Sequence, residues 1–276
     1  MVEAALQTRG PYSLRLTCRS DTWRAELPDG EWASARQCVN GVVVVRASSE
    51  RAVAHARFLL ALDDDTSEFH RRFAHDPLLG PAVQALRGLR PRRTATVAHA
   101  ALRAVCGQLV QSRRARELER AVLRRCGTAV PTRESLARLS PAALCACGLA
   151  PSRAATLTRL VRTLDVERLR EIPGDGAPRR LSRERGIGPW SVGVIALAGL
   201  GRYDRGLVGD LGLVKLQAAL TGTWPTQDGT ASLLAPYEEW QGLASLFLLT
   251  GFARGLVPGA NPDRMRLARA VAHRAA

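Results

Sequence analysis

The sequence predicts a mainly helical α+β fold, with a small antiparallel β-sheet at the N-terminus and a larger helical region after it. Two observations predict this arrangement. Short runs of alternating or β-branched residues occur within the first 47 residues, and apolar residues recur at helical spacing beyond residue 90. The length of 276 residues and an apolar content of 46% allow one large or two modest domains with real cores.

Three short runs in the N-terminal region are predicted to be strands: Tyr12–Cys18, Thr22–Leu27 and Gly41–Ala47. Pro28–Gly30 favours a turn next to the second of these runs. Glu50–Leu62 then has helical spacing, with its apolar residues on one face. A small sheet carrying one or more helices is therefore expected here.

The boundary between two domains is predicted at Leu89–Arg93, which separates a β-rich domain, 1–90, from a helical domain, 91–276. Gly127 is suited to end one of the helices beyond it. The helices predicted after the boundary lie, in chain order, at or near Thr94–Val110, Arg113–Cys126, a turn that opens at Pro131–Glu134, 141–147, 152–164, 179–185, 189–200, Asp210–Leu220, Glu238–Leu256 and Asp263–Arg274.

The charge of the chain indicates a polyanionic partner. The formal net charge is +15 at pH 7, and all but one of the 40 basic residues are arginine, the exception being Lys215. The N-terminus lacks the profile of a signal peptide, and no segment is long enough to span a bilayer. We therefore expect a cytoplasmic protein that does not enter a membrane.

The cysteines and histidines give no metal pattern. Of the six cysteines, only Cys145 and Cys147 are closely spaced, and no second pair completes a zinc or iron–sulfur site. The five histidines show no metal spacing either. Free thiols in a reducing compartment are the expectation, with no metal and no cofactor.

The run Arg185–Ser191 predicts a backbone device for holding phosphate. Gly186 and Gly188 allow a tight hairpin around Ile187, and Pro189 suits the first turn of the helix that follows. The N–H groups at such a helix start favour an anion, so this hairpin is a candidate DNA contact. The alternative is an ordinary turn before an apolar helix.

Asp210 is an isolated carboxylate downstream of this hairpin, in the run Val208–Leu211. An aspartate that follows a glycine and precedes an apolar helix is an obvious N-cap. A structural cap and a functional carboxylate both remain open from the residues alone.

Several short blocks together resemble the helix-hairpin-helix DNA glycosylase superfamily, and most closely its bacterial DNA-3-methyladenine glycosylase II (AlkA-like) branch. Each block is weak alone, but their order along the chain matches the family. The blocks are Val105–Val110, Gly148–Leu149 followed by Arg153–Ala154, Gly186–Ser191, Val208–Leu213 and, more weakly, Glu239–Ala244.

The resemblance implies a sheet domain followed by two helical lobes, with the hairpin and Asp210 lining the cleft between the lobes. Asp210 matches the catalytic carboxylate, which stabilises the cation that develops on the sugar. Gln108 and Leu109 match the segment that enters the duplex, Leu109 as an apolar wedge, although an ordinary core leucine is equally expected.

Trp190 matches an aromatic residue that lines the base pocket, where its face attracts a cationic purine, the alternative being a packing tryptophan. Val194, Leu211 and Leu249 stand where related sequences often have aromatic residues, which predicts a less aromatic pocket.

Two further departures from the family pattern lie near these blocks. Glu184 precedes the hairpin, where it could repel phosphate or pair with a nearby arginine such as Arg180 or Arg183, and the sequence leaves both open. His99 stands where related sequences often carry an acidic residue.

The resemblance also predicts that the strand is not cut. Bifunctional members of the superfamily place a lysine where this chain has Trp190. Lys215 lies five residues beyond Asp210, about 140° around the helix axis, and is more suited to contact phosphate.

The expected function is that of a monomeric, monofunctional glycosylase that excises alkylated purines from damaged double-stranded DNA at the bacterial nucleoid. Two alternatives remain open. One is a helix-hairpin-helix module that binds DNA with little or no catalysis. The other is an oxidised-base glycosylase that nicks the strand.

Overall fold

The computed structural model describes residues 1–275, apart from the side chains at 227 and 273–275, so the predicted second domain extends one residue beyond it. The structure confirms the mainly helical α+β fold with an antiparallel sheet at the N-terminus. The sheet has the spatial order β1-β4-β3-β2, and each neighbouring pair is antiparallel. Its strands are β1 (Val2–Leu6), β2 (Thr22–Glu26), β3 (Trp32–Gln37) and β4 (Val43–Ala47).

The strand predicted over Tyr12–Cys18 is wrong, because Leu14–Cys18 forms the short helix α1. The Ser13 side chain caps this helix by accepting a hydrogen bond from the backbone N–H of Leu16 at 3.2 Å. The buried Leu14 anchors the helix against the sheet. A local cap and one buried side chain therefore outweigh the alternating pattern of this run.

The helices follow the predicted order, and most begin within a few residues of the expected position. Three of them, α3, α4 and α13, have no counterpart in the sequence prediction, and α11 continues into a π-helical turn, Ala196–Leu200. The helices after α1 are α2 (Glu50–Leu59), α3 (Ser67–Phe73), α4 (Gly80–Ala85), α5 (Val97–Gly107), α6 (Ser112–Cys126), α7 (Arg133–Ala137), α8 (Pro141–Ala146), α9 (Pro151–Thr163), α10 (Gly176–Ser182), α11 (Pro189–Ile195), α12 (Leu211–Thr221), α13 (Gln227–Leu234), α14 (Gln241–Ala253) and α15 (Pro262–Ala275).

Three clusters of buried apolar side chains organise these elements. One lies between the sheet and α2, the second among α5 to α11, and the third among α3, α4 and α12 to α14. Phe69 and Leu79 belong to the third cluster although they precede residue 90. The domain boundary at residue 90 stays a prediction, but the apolar side chains of α3 and α4 pack with the C-terminal helices.

The segment Leu89–Arg93, which the sequence predicts as a boundary, is buried except at Arg92. The Arg90 side chain is 1% exposed, and its guanidinium donates to the carbonyls of Arg9 and Ala61 and, at 2.9 Å, to that of Pro11. Burial lowers the pKa of Arg90. This arginine therefore fixes the N-terminal loop to the helix that follows the sheet, and it is not a DNA contact.

A second buried arginine joins the sheet domain to the helical region. Arg93 pairs with Asp64, donates to the carbonyl of Gly201 at 3.1 Å, and lies 4.9 Å from the centroid of the Phe58 ring. Asp64 also accepts a hydrogen bond from the Tyr203 hydroxyl. Arg90 and Arg93 thus stabilise a junction instead of adding to the basic surface, whereas Arg92 between them is exposed.

His70 on α3 predicts a loss of stability at mildly acid pH. Burial lowers the pKa of His70 to about 4, and the charges of Arg87 and Arg90 act in the same direction. Between pH 6.5 and 4 the unfolded chain binds a proton that the folded chain does not. We expect stability to fall by about 1.4 kcal/mol per pH unit across that window.

Urea unfolding at pH 7 and pH 5 measures this loss. His70→Gln should show a clearly weaker dependence on pH than the wild type. The same dependence in both proteins would mean that other groups are responsible.

Within the described residues, no helix is long and apolar enough to cross a membrane.

Candidate active site

The hairpin between α10 and α11 presents backbone and buries its one apolar side chain. Gly186 has φ +86°, and a Cβ there would collide with the Thr156 hydroxyl, so only glycine fits. The Ile187 N–H donates to the Glu184 carbonyl at 2.9 Å, and the Ile187 side chain is buried in the cluster of α5 to α11. Ile187 therefore anchors the hairpin, and only its backbone can face a ligand.

Gln108 ties the end of α5 to this hairpin. Its side-chain amide donates to the carbonyl of Gly186 at 2.7 Å and to the hydroxyl of Ser191 at 3.0 Å. The bonds fix the position of the hairpin relative to the segment that follows α5. A direct DNA contact by Gln108 stays a prediction, because its donors are already used within the protein.

Leu109 is fully exposed, so the alternative of a core leucine is wrong. Its side chain has a relative exposure of 100%, and its backbone lies in the left-handed region at φ +53°. Such a backbone costs a non-glycine residue about 1–2 kcal/mol. A strained leucine that projects into solvent beside the hairpin has the geometry expected of a wedge.

Asp210 is the N-cap of α12, as predicted. Its Oδ1 accepts from the backbone N–H of Gly212 at 2.7 Å, and its Oδ2 accepts from the indole Nε1–H of Trp190 at 2.9 Å. The residue before it, Gly209, has φ +84° and donates its N–H to the Thr230 hydroxyl at 2.8 Å. The carboxylate is half-buried, and both of its oxygens have partners in the protein.

Trp190 reaches from the hairpin to α5. A Cβ on Gly107 would lie 2.5 Å from Cη2 of Trp190 and 3.4 Å from both Cζ2 and Cζ3. These distances place that Cβ beyond the ring edge and in the ring plane, so the indole meets Gly107 edge-on. No local pattern in the sequence indicates this contact, and Gly107 is not among the predicted site residues.

The predicted pocket residues lie on three elements around Asp210. A Cβ on Gly212 would meet both the Leu249 side chain and Asp210 Oδ1, so Leu249 lies close to the carboxylate. Leu211, the first residue of α12, is 40% exposed. Val194 packs against both helical clusters from α11. Leu211 follows Asp210 directly in the chain and Leu249 lies close to it, and contact of all three predicted side chains with a base stays a prediction.

Lys215 lies on α12, half-buried, more than one helical turn beyond Asp210. Its role as a phosphate contact stays a prediction.

Glu184 pairs with an arginine, which is one of the two alternatives, but the arginine is Arg159 and not Arg180 or Arg183. Glu184 Oε2 lies 4.0 Å from Nε of Arg159, whose guanidinium also donates to the Arg185 carbonyl. Glu184 and Arg159 therefore brace the hairpin from α9. The sequence could not indicate this pair, because the two residues are far apart along the chain.

His99 lies 2.8 Å from Glu119 on α6, between Nε2 and Oε1. Burial raises the pKa of Glu119, but the hydrogen bond from His99 and the charge of Arg103 outweigh it and lower the net pKa. These side chains join α5 to α6.

Other binding features lie away from Asp210 in the described structure. Within the described part of the chain, no group of three His, Cys, Asp or Glu side chains is placed to hold a metal. A cavity of about 460 Å³ lies between the β2–β3 turn and the start of α7. It contains none of the predicted site residues, so it does not mark the site.

No family model matches the chain, but comparison with known proteins finds similar sequences and structures. The chain is 24% identical over 216 residues to DNA-3-methyladenine glycosylase of Bacillus subtilis, covering 72% of this chain and 71% of that protein. It is 30% identical over 213 residues to the probable bifunctional transcriptional activator/DNA repair enzyme AlkA of Mycobacterium tuberculosis, covering 72% of this chain and 42% of that protein. The match thus spans less than half of the mycobacterial relative.

Two solved structures have the same fold. The 3-methyladenine DNA-glycosylase of Archaeoglobus fulgidus superposes with a TM-score of 0.78 at 18% identity, covering 92% of this chain and 99% of that one. The 8-oxoguanine glycosylase/lyase of Clostridium acetobutylicum, in complex with double-stranded DNA, superposes with a TM-score of 0.71 at 15% identity, covering 91% and 98%.

The chain has the fold of a class of protein, the helix-hairpin-helix DNA glycosylases. Its sequence is similar to those of the DNA-3-methyladenine glycosylase and AlkA proteins named above.

Proposed function

We propose that this protein is a DNA glycosylase that hydrolyses the N-glycosidic bond of alkylated purines, of the 3-methyladenine and 7-methylguanine type. One observation carries the proposal. A half-buried carboxylate, Asp210, is held by two hydrogen bonds beside a hairpin that presents backbone and a leucine that projects into solvent. The names of the Bacillus subtilis and Archaeoglobus fulgidus proteins support alkylated bases as the substrate.

Hydrolysis of the N-glycosidic bond of an alkylated purine requires little more of the protein than one negative charge near the sugar. A purine methylated at N3 or N7 carries a positive charge and leaves readily, so the barrier lies in the cation that forms on the sugar. Asp210 stabilises that cation and orients the attacking water. Each carboxylate oxygen has room for a second hydrogen bond, so its structural partners do not prevent this role.

The base must leave the stack before it reaches Asp210. Leu109 fills the gap in the duplex, and the flipped nucleotide enters among Trp190, Leu211 and Leu249. The net charge of +15 draws the protein to the DNA backbone whatever the sequence. We place the protein in the cytoplasm, acting as a monomer at the nucleoid.

We also propose that the enzyme leaves the abasic strand uncut. A lyase needs an amine that forms a Schiff base with the sugar. Lys215 is the only lysine in the chain, and it lies more than one helical turn beyond Asp210. The resemblance of the chain to its family puts Trp190 where the lyases have lysine.

A panel of duplexes tests the function. The protein is mixed with methylated, deaminated and oxidised duplexes, and the bases released are identified by mass. We expect 3-methyladenine or 7-methylguanine from the methylated duplex. Release from the oxidised duplex alone would overturn the proposed substrate class.

Two other functions give different results in the same panel. A module that only binds DNA is favoured by the weakly aromatic pocket, and it would bind duplex with strong salt dependence and release nothing. A glycosylase with lyase activity, such as the Clostridium acetobutylicum neighbour, would form a covalent adduct with DNA under borohydride. We expect no adduct.

The substitution Leu109→Asn tests the wedge function separately from the stability of the fold. Asparagine tolerates the left-handed backbone at Leu109, which has φ +53°. We expect unfolding to require about 1 kcal/mol more free energy, because the strain is relieved and no core contact is lost. Base release from fully paired duplex should fall about 10- to 100-fold, because the flipped state loses its wedge.

Leu267→Asn is the matched control, since Leu267 is exposed on an ordinary helix, α15. It should leave the release rate unchanged and bring no gain in stability. A Leu109→Asn protein that works at the wild-type rate would contradict the wedge.

A further inference from the structure

We propose that Trp190 is a positioning residue, which orients the carboxylate of Asp210 through its indole N–H, and that Gly107 fixes the indole in that orientation. The proposal rests on the proposed glycosylase function and deepens it. It assigns Trp190 a role different from that of a base-stacking wall, and it gives Gly107 a role where it had none.

The first step is the geometry of the carboxylate. Asp210 Oδ1 is held by the Gly212 N–H at 2.7 Å and Oδ2 by the Trp190 Nε1–H at 2.9 Å. The first bond alone restrains Oδ1 and leaves the position of Oδ2 less well fixed. The second bond fixes its plane, because the two donors come from different elements, α12 and α11.

The second step is the position of the indole. A Cβ at Gly107 would lie 2.5 Å from Cη2 of Trp190, a distance that no real contact shows. The ring therefore meets Gly107 on α5 with the edge at Cη2, and Asp210 at the start of α12 with its Nε1–H, which points in a different direction in the ring plane. Any larger residue in place of Gly107 pushes the ring along its own plane and shifts Nε1 sideways relative to the carboxylate, which misaligns the hydrogen bond.

The third step links this arrangement to the wedge. Gly107, Gln108 and Leu109 are consecutive: the first abuts the indole, the second holds the hairpin, and the third is the exposed wedge. One segment therefore sets both the point of entry into the duplex and the orientation of Asp210. A shift of this segment would disturb both together.

Removing only the N–H tests the role of Trp190. The residue is replaced by 3-benzothienylalanine, which keeps the size and aromatic face of tryptophan but cannot donate. We expect single-turnover release of methylated purine to fall about 10- to 100-fold, the size expected for a hydrogen bond to a charged group. Affinity for duplex containing an abasic-site analogue should stay within about twofold of wild type.

If only the aromatic face of Trp190 contributes, the 3-benzothienylalanine variant should release base at the wild-type rate. That result would overturn the proposal. Trp240 supplies the matched control. Its buried Nε1 has no hydrogen-bond partner in the part of the chain that the structure describes. The same replacement there should leave the release rate unchanged.

A double-mutant cycle tests Gly107. Gly107→Ala should lower the release rate about 10-fold or more in the wild type, because the added methyl group displaces the indole. In a Trp190→Phe background the far edge of the ring is absent, so Gly107→Ala should have little further effect. Equal losses in both backgrounds would overturn the role given to Gly107.

An NMR measurement keeps the inference separate from the proposed function. The chain has five tryptophans, and the indole N–H signal of Trp190 is assigned by its loss in Trp190→Phe. Asp210→Asn and Gly107→Ala should each shift that signal, whether or not the protein releases any base. An unmoved signal would overturn the positioning role, whereas shifted signals without any base release would overturn only the function.

Discussion

Asp210→Asn is expected to lower the rate of base release about a thousandfold while the protein still binds duplex that contains an abasic-site analogue. The variant loses the negative charge that stabilises the cation on the sugar, and electrostatic groups of this kind contribute about 10²- to 10³-fold each. Loss of the water-orienting function adds to this effect.

The fold should survive this change. Asparagine is as good an N-cap as aspartate, so its Oδ1 can still accept from the Gly212 N–H that now bonds to Asp210. The matched control is Asp165→Asn, because Asp165 is an exposed aspartate far from the site in sequence. Full activity of Asp210→Asn, with the control also active, would contradict the assignment of Asp210.

Arg90→Met is expected to lower the free energy of unfolding by about 3 kcal/mol. The guanidinium of Arg90 serves the carbonyls of Arg9, Pro11 and Ala61 inside the protein. Methionine fills much of the same volume but leaves these acceptors without a donor. Burial of the arginine itself is costly, as its lowered pKa indicates, so the net loss is smaller than the sum of three hydrogen bonds.

Urea unfolding measures the effect as a lower midpoint at an unchanged m-value. Arg87→Met is the control, because Arg87 belongs to the same stretch of chain but is exposed. We expect it to unfold like the wild type. Equal stability of Arg90→Met and Arg87→Met would contradict this prediction. It would show that the free energy of burying the Arg90 charge is as large as the stabilisation from its hydrogen bonds.

Much of the fold could be predicted because its signals are local. Gly127 ends α6 in the left-handed conformation at φ +68°, and Pro141 and Pro151 begin α8 and α9. Caps and prolines act within one turn of chain, so the sequence displays them directly.

The missed elements lack such signals. Strand β3 buries Ala33 and Ala35, whose small side chains give little alternation in hydrophobicity. Helices α3 and α4 are short and are stabilised by packing with α14, for example Phe69 against Phe247 at a centroid distance of 5.0 Å. Contacts across such a distance in the chain are not visible in a local pattern.

In the candidate site, too, some features could be predicted from the sequence and others could not. Asp210 and Gly186 could be predicted because capping and positive φ restrict which residues are allowed. A positive φ at Gly188 is wrong, because its backbone is extended at φ −86°. The hydrogen bond from Trp190 to Asp210 and the edge contact with Gly107 could not, because each depends on how three helices pack. The exposure of Leu109 also needed the structure, since a leucine after an apolar helix is as typical of a core.

One experiment bears most directly on the proposed function. A duplex with a single 7-methylguanine is incubated with excess wild-type protein, and both the free base and the strand are then examined by mass. We predict free 7-methylguanine together with an intact strand that carries one abasic site. A strand that keeps its methylated base, or one that is cut at the abasic site without added alkali, would contradict the proposal.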